Sequence, residues 1–236
     1  MKTLFLHIVL ICFACTTYAQ VDQLKTDIVS AAEVMESMLP VVMYSSYTLY
    51  ATHDTTEVMS KARGEVYLTK SSYYQSIEGV HTFIEGSQVA IIDEEERTIV
   101  FDSKEIDLQQ LIFNVNIDQI PDYLESIQVD ENEKARIYDL SLSPFSSFNK
   151  VKLTISKQTN LISNVELFYA NSQGLENTLQ EEETPRLVVD IETKSLNGKV
   201  SYSLSSNPFF AISDEGFTRK SKYSSYSVIN NITGDE

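Results

Sequence analysis

The sequence predicts an α+β domain built mainly of antiparallel β-structure, with one helix near its N-terminal end. Three observations support this class. One early segment carries apolar residues at helical spacing, most of the remaining chain alternates apolar and polar residues in short runs, and acidic or Asn/Gly/Ser-rich turns separate those runs. About ten or eleven strands of ordinary length fit this pattern before the C-terminal tail.

The first nineteen residues have the composition of an export signal. Lys2 is followed by an uncharged apolar run over residues 4–14, and small residues lead up to Ala19. The run is too short to cross the roughly 30 Å of hydrocarbon in a bilayer. We therefore predict a cleaved signal peptide over residues 1–19 and one domain over residues 20–236, located in the periplasm or associated with the outer membrane.

The two cysteines, Cys12 and Cys15, both lie in the predicted signal peptide. The exported domain would therefore contain neither a disulfide nor a thiol site, and burial of apolar side chains must hold it together. An alternative is acylation of Cys15, because Ala14 precedes it, although Cys12 stands where lipoprotein signals usually have leucine. The sequence leaves both forms open.

The exported domain is strongly acidic. Without Lys2 it carries 17 Lys+Arg against 34 Asp+Glu, a formal charge of −17. This charge repels nucleic-acid phosphates and anionic lipid head groups, so we expect neither as a partner. Solubility of an exported protein explains the acidity, and an acidic docking face is the alternative.

The N-terminal helix is predicted over residues 22–39. Its apolar residues recur at intervals of three and four, which places them on one face: Leu24, Ile28, Ala31, Met35 and Met38. Asp22 is a candidate N-cap, and Pro40 ends the helix because the residue before a proline avoids the helical region.

Strands are predicted along the rest of the chain from short runs of β-branched and aromatic residues. They cover residues 41–52, 64–69, 72–77, 81–85, 88–92, 97–102, 135–142, 151–155, 161–169, 186–192 and 199–204, and the tail 217–229 forms a last strand. The acidic segment 93–96 and the polar segment 157–160 are predicted hairpin turns. Residues 107–112 and 120–127 lose the alternation and are predicted as short helices, and residues 171–185 as a long acidic loop.

The chain offers few residues for catalysis or metal binding. Beyond the signal peptide it has only His53 and His81, no cysteine and no Gly-x-Ser-x-Gly motif, which argues against a hydrolase triad. Residues 130–133 lack the turn glycine and distal glutamate of a calcium loop, so a charged turn is the simpler interpretation. We expect no enzyme activity, no cofactor and no metal, with His81 on a strand surface or barrel wall.

Aromatic residues are frequent, with 13 Tyr and 11 Phe but no Trp. Strands rich in tyrosine can line a cavity, because the ring gives a large apolar body with a polar tip. Half-buried strand faces in an ordinary core would have the same composition.

The order of motifs resembles the periplasmic lipoprotein carrier family typified by LolA. The residues that carry the resemblance are the strand 64–70 with its terminal lysine, Tyr73–Tyr74, the phrase 85–92 with its return arm 98–101, and the hairpin 151–169. The resemblance implies an incomplete, half-open barrel with one or two short helices on its concave side, whose apolar face shelters acyl chains. Ser71 and Gln75 depart from the family pattern, which often has proline and a basic residue there.

From this resemblance and the alternation we expect a monomeric binding protein for a lipid, acyl chain or lipoprotein. The candidate groove residues, placed between the curved sheet and the helix, are Met35, Val66, Leu68, Tyr74, Val89, Ile91, Val100, Leu153, Val165 and Leu167. The alternative is a non-catalytic interaction module of the envelope that binds a protein partner through the acidic loop 171–185.

Overall fold

The structure is a computed structural model that describes residues 2–103, 123–170, 184–196, 207–213 and 216–231. Within these residues it contains one α-helix, α1 (Lys2–Met38), fourteen strands and a short 3-10 turn (Ser221–Tyr223). The strands before the first gap are β1 (Val41–Tyr50), β2 (Val58–Leu68), β3 (Ser72–Ile77), β4 (Val80–Glu85), β5 (Gln88–Asp93) and β6 (Thr98–Ser103). The later strands are β7 (Leu124–Glu131), β8 (Ala135–Leu142), β9 (Phe148–Ser156), β10 (Ile162–Tyr169), β11 (Arg186–Ser195), β12 (Phe210–Ser213), β13 (Gly216–Arg219) and β14 (Ser227–Asn230).

Twelve strands form one sheet in the order β14-β6-β5-β4-β3-β2-β1-β11-β10-β9-β8-β7, and β12 pairs with β13. Successive neighbours from β2 to β6 and from β7 to β11 are antiparallel, whereas β14 pairs in parallel with β6. Because the order ends at β14 and β7, the described strands form an open sheet. The predicted α+β class, mainly antiparallel and incompletely closed, is confirmed.

The chain divides into two compact units. Unit 1 comprises Met1–Met35, Tyr47–Lys61 and Val115–Ile191, and unit 2 comprises Glu36–Ser46, Ala62–Asn114 and Glu192–Glu236. Each unit thus combines segments from distant parts of the sequence.

Unit 1 contains most of α1 and the strands β7 to β10. The apolar face of the helix is buried as its spacing predicts, with Leu24, Ile28, Ala31 and Met35 joined by Val21, while Met38 at the helix end is half-buried. Buried residues on the sheet include Ile127, Tyr138, Leu140, Leu153 and Ile155. Among the described residues, we find no helix with the length and apolar content needed to cross a bilayer.

The start of the helix differs from its prediction. The helical backbone runs without a break from Lys2, so the expected N-cap at Asp22 is wrong. The residues before Asp22 include no Gly or Pro that would interrupt a helix, so the helix continues in the N-terminal direction. The carbonyl of Asp22 instead accepts a bond from the hydroxyl of Thr26, at 2.8 Å. The predicted end before Pro40 is confirmed.

Two further predictions fail in part. Residues 124–127 belong to strand β7 rather than to a helix, because an edge strand that is mostly exposed on both faces shows no alternation for the sequence to reveal. The tail predicted as one strand over 217–229 is broken by the 3-10 turn into β13 and β14. The predicted helix 107–112, the strand 199–204 and residues 171–183 of the acidic loop lie outside the described residues.

Unit 2 has an aromatic and aliphatic core on one face of β3 to β6. The C-terminal segment supplies three of its members, and the full set is Tyr74, Phe83, Ala90, Ile92, Ile99, Phe101, Phe209, Phe210 and Tyr223. Phe210 packs edge-on against Phe101 with ring centroids 4.8 Å apart, and Phe209 lies 4.8 Å from the ring of Tyr223. This face is therefore closed by residues far away in the sequence.

The predicted hairpin turns are present. Asp93 accepts backbone N–H bonds from Glu95 and Glu96 through its carboxylate, both at 2.9 Å, which closes the turn between β5 and β6. Asn160 has a φ of 54° in the turn between β9 and β10. Asparagine tolerates this left-handed conformation better than most residues, so the polar turn suits the tight connection.

Candidate functional site

The sheet of unit 1 has one apolar face, which follows from its strand register. Side chains that pair across antiparallel strands lie on the same face, and alternate residues of each strand share that face. Tyr138, Leu153, Val165 and Val189 form one row across β8 to β11, and Leu140, Val151, Leu167 and Leu187 form the next. The two rows together make a continuous aliphatic surface with a single aromatic ring.

Burial of this face decreases from β8 towards β11. Tyr138 is 0% exposed, and Leu140 and Leu153 are also buried. Five residues on β9 to β11 remain half-buried, and we refer to them as the apolar strip: Val151, Val165, Leu167, Leu187 and Val189. The strip contains no polar or charged side chain.

Helix α1 is fixed over the β8 part of this face by Asp27. The Tyr138 hydroxyl donates to the Asp27 carboxylate at 2.7 Å, and a guanidinium nitrogen of Arg136 donates to the same oxygen. Gln23 donates to the other carboxylate oxygen at 2.8 Å. Tyr138 can therefore be buried without an unsatisfied hydroxyl, which would otherwise cost about 1–3 kcal/mol.

The Asp27 cluster has perturbed proton affinities. Burial of Asp27 works to raise its pKa, but the hydrogen bonds from Tyr138, Arg136 and Gln23 outweigh it, so the pKa lies below the ordinary value. Burial and the bond to Asp27 both raise the pKa of Tyr138. Asp27 is thus an ionised anchor that ties the helix to β8.

The opposite face of the same strands is ionic. The Lys150 ammonium lies 2.5 Å from the Asp139 carboxylate, and Lys152 lies 3.6 Å from Glu166. Arg186 on β11 lies 3.7 Å from Glu166 as well. An apolar ligand would have to desolvate these charges, so only the face that bears the apolar strip suits such a ligand.

Arg186 also belongs to an aromatic cluster that the sequence pattern did not predict. Its guanidinium lies over the ring of Tyr50 at 4.6 Å and near that of Phe168 at 5.9 Å, and it donates to the Thr55 carbonyl at 3.4 Å. His53 meets Phe168 edge-on at 5.2 Å. These residues come from three separate chain segments, so no local sequence pattern could have joined them.

Unit 2 carries six of the ten predicted groove residues, and five of them share one face. Leu68 and Val89 fall in one row across β2 to β5, and Val66, Ile91 and Val100 in the next. Val66, Leu68 and Val89 are buried, Val100 is half-buried and Ile91 is 39% exposed.

Tyr74 lies on the other face of that sheet. It pairs with Tyr67 and Phe83 and belongs to the closed core of unit 2, with its ring 4.6 Å from that of Phe83. Its neighbour Tyr73 occupies the face of Leu68 and Val89. Two consecutive tyrosines give no sequence signal for which one faces which way.

His81 also lies at the core of unit 2. Its Nδ1 is 3.0 Å from the Tyr74 hydroxyl, its ring is 4.7 Å from that of Phe209, and its Nε2 is 3.7 Å from a Glu94 oxygen. Burial lowers the pKa of His81, and the nearby carboxylates of Glu94 and Glu65 only partly offset this. Within the residues that the structure describes, no three His, Cys, Asp or Glu side chains are grouped as metal ligands.

The four remaining predicted groove residues lie in unit 1. Met35 and Leu153 are buried, whereas Val165 and Leu167 belong to the apolar strip. The prediction omitted Val151, Leu187 and Val189, although the period-two pattern in β9 and β11 would have revealed them once the strands were paired. In unit 1, the predicted residues Val165 and Leu167 thus share a half-buried face with three residues that the prediction omitted.

Comparison with known proteins gives structural likenesses at low identity. No family model matches the chain, and no curated protein matches it. A LolA superfamily protein from Nitrosomonas europaea is 13% identical with a TM-score of 0.30, covering 72% of this chain and 94% of its own. An uncharacterized conserved protein from Thermus thermophilus is 11% identical with a TM-score of 0.45, covering 85% and 97%.

The complex of MucA and MucB from Pseudomonas aeruginosa contains another similar chain. It is 9% identical with a TM-score of 0.40, covering 74% of this chain and 58% of its own. All three scores are below 0.5, so none of these likenesses by itself indicates a function for this chain.

Proposed function

We propose that this chain is a non-catalytic binding protein of the cell envelope that holds the acyl chain of a lipid or lipoprotein on the apolar strip of unit 1. The observation that carries the proposal is the strip itself, in which five aliphatic side chains are only half-buried beside a buried extension of the same face. Exposed aliphatic surface without polar groups favours a ligand without polar groups.

The dimensions of the strip suit one extended hydrocarbon chain. Neighbouring strands lie about 4.8 Å apart, so three strands span about 10 Å, and two residues along a strand add about 7 Å. A chain laid across β9 to β11 would cover about eight methylene groups, worth up to about 6 kcal/mol in transfer free energy before the cost of immobilising it. Longer chains would gain from any apolar surface that continues the strip.

The proposed location in the envelope rests on the sequence. Residues 1–19 have a basic start, an apolar run and a small-residue end, which favours export. An acyl carrier in an aqueous compartment must stay soluble while exposing apolar surface, and the excess of acidic residues supports that requirement.

Cross-linking with a photoreactive fatty acid tests the proposed position. The protein is illuminated with a diazirine-bearing fatty acid, digested and mapped by mass spectrometry. We expect the label on peptides from β9 to β11, on the residues of the strip. A label confined to peptides of unit 2, or none at saturating fatty acid, would contradict the proposal.

Two adjacent positions on β11 provide a matched control. Leu187 belongs to the strip and Val188 lies on the ionic face, and both are half-buried. Leu187→Asn places an amide in the path of the hydrocarbon and should reduce labelling about tenfold, because losing two or three buried methylenes costs about 1.5 kcal/mol or more. Val188→Asn should leave labelling unchanged.

A further inference from the structure

We propose that the loop between β8 and β9 is a membrane-docking tip that inserts Phe145 into the surface of a zwitterionic lipid bilayer. The loop spans residues 143–147 and lies in unit 1. This surface is separate from the apolar strip and does not depend on whether the strip binds an acyl chain.

Phe145 is the most exposed large apolar side chain that the structure describes, at 95%. It occupies a turn rather than a groove, so its ring projects away from the sheet. Tyr123, 49% exposed, lies next to the base of the loop, where its carbonyl accepts the Ser143 N–H at 2.8 Å. A phenylalanine at the tip suits the hydrocarbon boundary of a bilayer. A tyrosine nearer the base of the loop suits the head-group layer, because its ring is apolar and its hydroxyl is polar.

The loop lacks charge in a chain that is otherwise rich in it. Residues 140–149 contain no Asp, Glu, Lys or Arg, whereas 22% of the whole chain is charged and the net charge is −16. A loop that inserts into a bilayer should carry no charged side chain, because moving a charge into a medium of low polarity is costly. The acidic remainder of the chain disfavours anionic lipids, so we expect the surface to be zwitterionic.

Several N–H groups in and next to the loop are already paired. The Phe145 N–H donates to the Ser143 hydroxyl at 3.3 Å, the Ser146 N–H to the Ser143 carbonyl at 2.9 Å, and the Phe148 N–H to the Ser146 hydroxyl at 3.2 Å. Pro144 has no N–H group to satisfy. Irregular backbone enters an apolar medium at high cost unless its polar groups are paired, and the pairing of these three N–H groups lowers that cost.

A tryptophan reporter tests the insertion directly, because the chain contains no tryptophan of its own. Phe145→Trp is purified in the form that its host cells export and mixed with phosphatidylcholine vesicles. We expect its emission to shift to shorter wavelength and to be quenched when the lipid carries brominated acyl chains. The control is Val58→Trp, an exposed strand position in the same unit, whose emission should not change.

Vesicle flotation separates this proposal from acyl-chain binding on the strip. Phe145→Ser should lower the vesicle partition coefficient about tenfold or more, as expected when a membrane-inserted phenylalanine is lost, whereas Leu187→Asn should leave it unchanged. The proposal is overturned if the emission of Phe145→Trp does not change when vesicles are added. It is also overturned if the emission shifts only with vesicles to which envelope proteins have been added. The 95% exposure of Phe145 means that both variants at this position should fold.

Discussion

The two units cover similar apolar sheet faces to different extents. In unit 2 the face that carries Phe83 and Phe101 is closed by Phe209, Phe210 and Tyr223 from the C-terminal segment. In unit 1 the face that carries Tyr138 is buried near the helix, but the strip on β9 to β11 stays half-exposed. Both faces arise from the same alternation of residues, so alternation alone does not say whether a face is core or binding surface. Whether a face is core or binding surface depends on whether another segment of the chain covers it.

The largest expected difference between the two faces is in stability. Phe210→Ala should lower the free energy of unfolding by about 3–5 kcal/mol, because the ring is fully buried against Phe101 and Phe83. Leu167→Ala in the strip should cost only about 1 kcal/mol, since the side chain already meets solvent. Chemical denaturation of both variants measures this. Equal losses would show that the strip is ordinary core.

A smaller effect is expected from the anchor of helix α1. Asp27→Asn should lower the free energy of unfolding by about 2 kcal/mol, because the charge-assisted bonds from Arg136 and Tyr138 weaken. Asp22→Asn is the control, since Asp22 is exposed on the same helix. Denaturation at neutral pH compares the two variants, and equal free energies of unfolding would show that Asp27 does not anchor the helix.

The stabilisation by Asp27 should depend on pH. Its pKa in the folded chain is lowered, so its contribution is complete above the unfolded value of about 3.9 and is lost as the pH falls through the folded value. The difference between the wild type and Asp27→Asn should therefore shrink as the pH is lowered from about 6 to about 3. A difference that stays constant over that range would contradict the assignment.

The smallest expected effect concerns His81 in the closed core of unit 2. Burial lowers its pKa, so unfolding takes up a proton and stability falls as the pH drops below about 6.5. His81→Gln should flatten this decline, measured by denaturation between about pH 7 and about pH 5. Glu94→Gln should extend the decline to lower pH, because Glu94 raises the pKa of His81. If the stability of all three proteins depends on pH in the same way, His81 is not the source of the decline.

The sequence predicted local elements well, because the physics that sets them is local. The hairpin from β9 to β10 follows from period-two alternation around a polar turn, and the strands β3 to β6 follow from short runs of β-branched and aromatic residues between turns. The helical stripe from Leu24 to Met35 follows from helical spacing in the same way.

Elements that depend on distant residues were not predictable. Nothing near β6 reveals that β14 pairs with it in parallel, and nothing near Tyr74 reveals that Phe209 covers its face. For the candidate site, two strip residues, Val165 and Leu167, were predicted from alternation. Leu187 and Val189 were missed because they join the strip only through the pairing of β10 with β11.

Native mass spectrometry of the protein, purified from the envelope without detergent, detects directly whether the strip holds an acyl ligand. We expect the wild type and Val188→Asn to carry an extractable acyl species, or to take up added fatty acid at one equivalent, and Leu187→Asn to bind fatty acid about tenfold more weakly. A ligand-free wild type that does not take up added fatty acid, or a Leu187→Asn variant that binds it as tightly as the wild type, would contradict acyl binding on the strip.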